Sequence, residues 1–156
     1  MKHEKFHIEY IMENVSRHSL WNHLTTPPGL ASWFADRVTI KGNCYTFYWN
    51  KESQQAVVLE MKPEEKIRFR WTDEECQEIY FEFIIHTIEL TGTTALEITD
   101  FSEPEEKSDS IDLWDTQVEA LKWSLGIWFV DGSLSVIQQH YGWFAGNRQA
   151  KPVDAG

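Results

Sequence analysis

The segment Ser108–Gly126 has the spacing of an amphipathic helix. Its apolar side chains recur three or four positions apart and therefore share one helix face, whereas the opposite face is mostly charged. The members of the apolar face are Ile111, Trp114, Val118, Leu121 and Leu125. We expect Ser108, Asp109 or Ser110 to cap the N-terminus and Gly126 to end the helix in the left-handed conformation. A helix of this kind buries its apolar face against another element, so the rest of the chain is expected to supply a sheet.

The remainder of the chain alternates apolar and polar residues in short runs separated by turn residues, a pattern typical of strands. A first strand is predicted at Phe6–Met12, and further strands near 38–40, 45–49, 56–61, 67–71, 79–85 and 95–101. Two short helices interrupt this series, the first opened by Asn14 or Ser16 and the second by Thr26-Pro27 and running to about Phe34. The predicted order is β-αα-β6-α. It corresponds to an α+β fold in which a curved antiparallel sheet of about seven strands surrounds a long C-terminal helix.

Composition limits the classes of partner. The formal net charge of −11 disfavours nucleic acid and anionic membranes, because both require Lys and Arg to contact phosphate groups. Aromatic residues make up 14% of the chain and include eight tryptophans, which indicates either a bulky core or an aromatic-lined cavity. These two alternatives cannot be separated by composition.

The sequence favours a cytoplasmic location. Cys44 and Cys76 lie in different segments without a CxxC motif, and we expect both to be free thiols in a reducing compartment. The first ten residues lack the apolar run of a signal peptide. No stretch approaches the roughly 18 apolar residues that a membrane-spanning helix needs, so no membrane span is predicted.

Several runs of residues together resemble a known family. They are LWNHLTTPPGLASWFAD (20–36), YTFYW (45–49), KIRFRW (66–71), YFEF (80–83), ITDF (98–101) and DSIDLWDTQVEALK (109–122). In these runs the chain is similar to the START-like superfamily, also called SRPBCC or helix-grip. Within it, the chain resembles the branch related to the activator of heat-shock chaperone ATPase and small bacterial proteins of Bacteroidetes type. The resemblance implies a seven-stranded sheet gripping the terminal helix, with two small helices closing one end of a cavity. It further implies a hydrophobic-ligand-binding or chaperone-linked role, and it carries no catalytic motif.

A ligand-binding cavity is the first site hypothesis. Its predicted lining consists of the inward-facing residues of the strands, the terminal helix and the mouth: Leu30, Trp33, Phe34, Tyr45, Phe47, Trp49, Phe69, Trp71, Ile79, Phe81, Phe83, Trp114, Val118 and Leu121. Tyr10, Tyr80 or Asp112 is expected to orient a bound molecule. Burying each large apolar side chain contributes roughly 1.5–3 kcal/mol, so ordinary core packing explains the same residues. If the cavity exists, replacing Trp33 or Phe81 with alanine will alter binding of an apolar probe.

Other kinds of site have weaker support. Arg68 and Arg70 are expected to form cross-strand pairs with Glu78, Glu82 or Glu97, and the alternative is a site for an anionic head group. No metal site, cofactor or catalytic residue is predicted. HExxH and GxSxG motifs are absent, and neither cysteine has a nearby His or Cys in sequence.

Three functions follow from these observations, in decreasing order of support. The first is non-enzymatic binding of a small hydrophobic or amphipathic ligand between the sheet and the C-terminal helix. The alternative is a chaperone-associated interaction module, and the third is a cyclase- or hydrolase-type enzyme. The domain is predicted to span 1–125, followed by an extension at 126–156 that either packs on the domain or is loosely ordered. The oligomeric state is open, and edge strands or the aromatic extension would support a dimer.

Overall fold

The computed structural model describes residues 3–127, which form one sheet, two short helices and one long helix. The elements in chain order are β1 Glu4–Met12, α1 Arg17–Thr25, α2 Pro27–Ala31, β2 Arg37–Lys41, β3 Cys44–Trp49, β4 Glu52–Lys62, β5 Lys66–Trp71, β6 Phe81–Ile88, β7 Thr93–Ser102 and α3 Lys107–Ser124. The predicted order β-αα-β6-α is confirmed.

The sheet has seven strands in the order β1-β7-β6-β5-β4-β3-β2, and each neighbouring pair is antiparallel. The first strand pairs with the last, so β1 and β2 form the two edges. One face, called here the inner face, carries the alternating apolar residues of the strands and is covered by α2 and α3. Trp114, Val118 and Leu121 of α3 are buried in the same core. The α+β helix-grip fold is therefore confirmed.

The two short helices begin at the predicted caps, but the second ends early. The Ser16 hydroxyl accepts a hydrogen bond from the Ser19 backbone N–H, and the Thr26 hydroxyl accepts one from the Gly29 N–H, both at 3.0 Å. The prediction that α2 continues to Phe34 is wrong, because α2 ends at Ala31. The following backbone winds around the Leu30 carbonyl, which accepts from the N–H groups of Phe34 at 2.8 Å and Ala35 at 3.2 Å. This turn places the side chains of Trp33 and Phe34 in the core.

The end of α3 follows the prediction, but its beginning does not. Gly126 adopts φ +88°, its N–H bonds the Trp123 carbonyl, and the Ile127 N–H bonds the Lys122 carbonyl. This pair of hydrogen bonds is a Schellman motif. The predicted caps at 108–110 are wrong, because α3 already begins at Lys107, directly after a 3-10 turn at Pro104–Glu106. That turn supplies the helical backbone, so no Ser or Asp side chain is needed to start the helix.

Strands β4 and β6 depart from the predicted pattern. A bulge between Val58 and Glu60 interrupts the alternation of β4. Leu59 and Met61, on either side of Glu60, are 42% and 44% exposed. β6 begins at Phe81, so Ile79 precedes the strand and is half-buried in the loop.

The helices of residues 3–127 include none with the length and apolarity needed to cross a membrane. The predicted boundary at residue 125 falls directly after α3, and Ile127 beyond it still packs against the core. The rest of the predicted extension, residues 128–156, lies outside the described residues.

The Gly29 position allows a specific stability test. A Cβ atom at Gly29 would lie 2.1 Å from the Asn22 carbonyl oxygen and 2.7 Å from the His23 Cα, so α1 and α2 would have to separate. We expect Gly29→Ala to lower the free energy of unfolding by about 3 kcal/mol, measured by urea denaturation.

Gly92→Ala is the control for this substitution. Gly92 has φ +69°, and an added Cβ atom there would contact nothing. Gly92→Ala should therefore lower the free energy of unfolding only by the cost of a left-handed backbone, about 1 kcal/mol. A loss at Gly29 no larger than the loss at Gly92 would contradict the close approach of the two helices.

Candidate functional site

The inner face is dominated by one group of ring-bearing side chains, called here the aromatic cluster. Neighbouring rings in the cluster have centroids 4.8–6.3 Å apart, which is the range of favourable stacked and edge-to-face pairs. The cluster consists of Trp33, Phe34, Tyr45, Phe47, Trp49, Phe69, Trp71, Phe81, Phe83 and Trp114. Strands β3, β5 and β6, the turn after α2, and α3 all contribute to it. The sequence placed every one of these residues in the cavity lining.

Phe34 occupies the middle of the aromatic cluster. Its ring lies 4.9 Å from Phe47 edge-on and is stacked 6.1 Å from both Phe81 and Trp114. Phe81 belongs to the sheet and Trp114 to α3, so the Phe34 ring bridges the two layers. Because Phe34 comes from the turn after α2, a segment outside the sheet fills the space between sheet and helix.

The backbone carbonyl of Phe34 also connects the sheet to α3. It accepts a hydrogen bond from Trp49 Nε1 of β3 at 2.9 Å and another from Gln117 Nε2 of α3 at 3.2 Å. Gln117 is completely buried, and its other amide atom, Oε1, is buried with no hydrogen-bond partner among the described residues. The sequence analysis missed Gln117, because its helical position lies beside the apolar stripe and its residue type is usually exposed.

Asp100 brings a carboxylate to the inner face. Its Oδ2 accepts a hydrogen bond from Trp114 Nε1 at 2.9 Å, and its Oδ1 accepts one from the Phe101 backbone N–H at 2.8 Å. Asp100 is only 8% exposed. These bonds tie β7 to α3 and hold the indole of Trp114 in one orientation. Asp100 shares the inward side of β7 with Leu96 and Ile98, and the burial of its carboxylate depends on the partner that α3 supplies.

Tyr10 links the edge strand β1 to α3. Its hydroxyl donates a hydrogen bond to Asp115 Oδ1 at 2.7 Å. Burial, followed by the hydrogen bond and the negative charge of Asp115, raises the pKa of the Tyr10 hydroxyl well above its ordinary value. Tyr10 is thus a neutral donor already engaged in a structural bond.

The other two orienting residues that the sequence suggested do not border the aromatic cluster. The Tyr80 ring packs edge-on against Phe101 with centroids 5.1 Å apart, and the Arg68 guanidinium lies 4.0 Å above it. Asp112 is exposed on α3.

The outer face of the sheet contains the predicted charge pair. Arg68 Nε donates to Glu82 Oε2 at 2.6 Å, and Glu82 is only 3% exposed. Pairing of Arg68 with Glu82 is confirmed, whereas Arg70 bonds the Gln77 side chain at 3.0 Å and not a carboxylate. Because Arg68 and Glu82 alternate with inward residues of β5 and β6, this pair lies on the opposite side of the sheet from the aromatic cluster.

The predicted lining residues other than Ile79 therefore form one contiguous interior. Most are fully buried, and Trp71 and Ile79 are half-buried. Three surface cavities have volumes of about 450, 390 and 260 Å³. They are lined by residues 13–15 with 91–94, by 104–112, and by 53–55 with 72–73, so none of these three includes a predicted lining residue.

The metal-ligating side chains of residues 3–127 are dispersed. Their His, Cys, Asp and Glu side chains form no group of three or more arranged to hold a metal ion. Cys44 and Cys76 are both free, as the sequence predicted.

Comparison with known protein families decides the affiliation of the chain. The START-like superfamily domain matches residues 1–127, which is most of the 156-residue sequence. The chain belongs to the START-like superfamily. The family resemblance of the sequence motifs is thereby confirmed.

Solved structures support the same affiliation. A protein of Bacteroides fragilis, BfR322, is 42% identical, with 84% of this chain and 97% of that chain covered and a TM-score of 0.61. The Aha1 dimer from Colwellia psychrerythraea is 17% identical over 80% of this chain and 96% of that one, with a TM-score of 0.63. CalU16 from Micromonospora echinospora is 14% identical over 92% of this chain and 86% of that one, with a TM-score of 0.58. The last two likenesses concern the START-like fold alone. Comparison with curated proteins finds no match.

The raised pKa of Tyr10 predicts a loss of stability in alkali. In the unfolded chain tyrosine ionises near pH 10, whereas the folded Tyr10 keeps its proton. The unfolded state therefore binds fewer protons above about pH 10, and the free energy of unfolding falls as the pH rises. We expect Tyr10→Phe to reduce this fall, measured by urea denaturation between about pH 9 and pH 11.

The Tyr45 hydroxyl donates to the Thr25 carbonyl at 2.9 Å, and burial raises its pKa as well, so Tyr45→Phe should act in the same direction. An unchanged pH dependence in the Tyr10 variant would contradict the assignment.

Proposed function

We propose that this START-like protein binds a small apolar or amphipathic ligand, without catalysis, in the space between the inner face of the sheet and α3. The observation that carries the proposal is the position of Phe34. A side chain from a short turn occupies the centre of an aromatic interior, between a sheet ring and a helix ring. An aromatic ligand would make the same stacked contacts that Phe34 makes.

Displacing Phe34 is energetically reasonable. Exposing one buried phenylalanine costs roughly 1.5–3 kcal/mol, and a ligand with a larger apolar area recovers more than that when it is buried. Rotation of the Phe34 side chain about its own bonds moves the ring and leaves in place the hydrogen bonds that its carbonyl accepts from Trp49 and Gln117. The cluster also has an outer member, Trp71, which is half-buried at the end of β5 and stacks on Phe81 with centroids 4.8 Å apart. We propose that ligands enter beside Trp71.

A catalytic function has less support. The titratable side chains that the structure places on the inner face take part in structural bonds, as shown by Tyr10 with Asp115, Tyr45 with Thr25, and Asp100 with Trp114. The buried Glu82–Arg68 pair, which has the composition of an acid–base pair, lies on the outer face of the sheet.

Binding is tested with a substitution of Phe34, the side chain that a ligand would have to displace. Phe34→Leu keeps an apolar side chain but removes the ring between Phe81 and Trp114, so ligand no longer has to displace a stacked ring. Each aromatic pair contributes about 0.5–1.5 kcal/mol. We expect a ring-shaped apolar probe to bind the variant about tenfold more tightly than the wild type, measured by isothermal titration calorimetry.

Phe101→Leu is the matched control, because its ring packs against Tyr80 on the outer face. It should leave probe binding unchanged. Absence of probe binding to the wild type and to Phe34→Leu, with both folded, would exclude the proposed site. Native mass spectrometry of gently purified protein complements the titration, since a small molecule that dissociates on denaturation would identify the ligand class.

A chaperone-linked interaction module is the second candidate, favoured by exposed apolar side chains on one part of the sheet. Ile40 on the edge strand β2 is 38% exposed, and Leu59 and Met61 are exposed on β4. Such side chains are suited to contact another protein. A pull-down with the chaperone of the same cell tests this function: enrichment that is lost in Leu59→Ser with Met61→Ser supports it, and no enrichment with the wild type rejects it.

A further inference from the structure

Gln117 is a buried polar group that the packing of the domain only half satisfies. It lies on the sheet-facing side of α3, and none of its surface is exposed. Its Nε2 donates to the Phe34 carbonyl, and its Oε1 has no hydrogen-bond partner in the described part of the chain. Leaving a buried acceptor unpaired costs about 1–3 kcal/mol, so such a group requires an explanation.

The orientation of the amide is fixed by its neighbour. The Phe34 carbonyl oxygen can only accept hydrogen bonds, so the NH₂ group of Gln117 must face it. Turning the amide over would set two acceptor oxygens against each other at the 3.2 Å separation of the present bond. Oε1 therefore points away from Phe34, and the protein cannot satisfy it by a simple flip.

The Gln117 amide lies beside the proposed ligand site. The same Phe34 carbonyl also bonds Trp49 Nε1, which places the Gln117 amide beside the aromatic cluster. A ligand that displaces the Phe34 ring would bring its own atoms to this region of α3.

We propose that Gln117 Oε1 accepts a hydrogen bond from a hydroxyl or N–H group of the ligand, and that the ligand class is therefore a neutral, ring-containing alcohol, phenol or indole. This inference rests on the proposed function. A fatty-acid or other carboxylate anion fits poorly, since the buried side chains of residues 3–127 include no Lys, Arg or His. Asp100 places a carboxylate on the same face, and the chain carries a net charge of −11, both of which disfavour an anion.

Three naphthalene derivatives with the same ring system separate the possibilities. Naphthol carries an O–H donor, methoxynaphthalene carries an oxygen without a donor, and naphthoate carries a carboxylate. Pairing one buried acceptor should make naphthol bind the wild-type protein about tenfold more tightly than methoxynaphthalene, measured by calorimetry at neutral pH. Naphthoate should bind more weakly than both.

The variant Gln117→Met tests whether the preference for naphthol over methoxynaphthalene depends on Gln117 Oε1. Methionine has a similar length and shape but no amide, so the variant should bind naphthol and methoxynaphthalene equally. Gln55→Met makes the same chemical change at an exposed position of β4 and should keep the tenfold preference.

The outcomes distinguish this inference from the function on which it rests. If the wild type binds all three compounds equally, or if Gln117→Met retains the preference for naphthol, the role of Gln117 is overturned while ligand binding stands. If the wild type binds none of them, both proposals are overturned. Should Gln117→Met fail to fold, the comparison of the three compounds on the wild type decides by itself.

Discussion

The placement of Phe34 is the constraint on which the interior depends. Its ring stacks between Phe81 of the sheet and Trp114 of α3, and its carbonyl accepts hydrogen bonds from β3 and α3. The close contact of Gly29 with the Asn22 carbonyl sets the position of the short turn that carries it. A single residue outside the regular elements thus joins the two layers both through apolar packing and through hydrogen bonds.

The two faces of the sheet have different chemistry. The inner face is aromatic, and the polar groups on it are held by bonds such as that between Asp100 and Trp114. The outer face carries charged pairs, of which Arg68 with Glu82 is the most buried. This separation explains why an apolar ligand site and a catalytic acid–base pair are hard to combine here: the titratable groups lie mostly on the side that α3 does not cover.

Membership of the START-like superfamily fits this arrangement but does not determine the ligand. A fold does not by itself specify a function, because proteins that share one fold carry different functional sites. In this chain, aromatic rings and one half-satisfied amide occupy that space. Both features favour a neutral ring compound over an extended anionic lipid.

The periodicity of Trp114, Val118 and Leu121 was sufficient to predict α3 and its buried stripe, because a helix repeats its faces at fixed intervals. Gly126 predicted the helix end for a local reason too, since glycine has no Cβ atom to clash at positive φ. The alternation of the strands similarly predicted which rings would meet on the inner face. The bulge in β4 and the start of α3 at Lys107 escaped prediction, because they depend on pairing with β5 and on a 3-10 turn. Burial of Gln117 and Asp100 escaped it as well. Whether a polar side chain can be buried is decided by the partner that the tertiary structure brings to it, and no local pattern contains that partner.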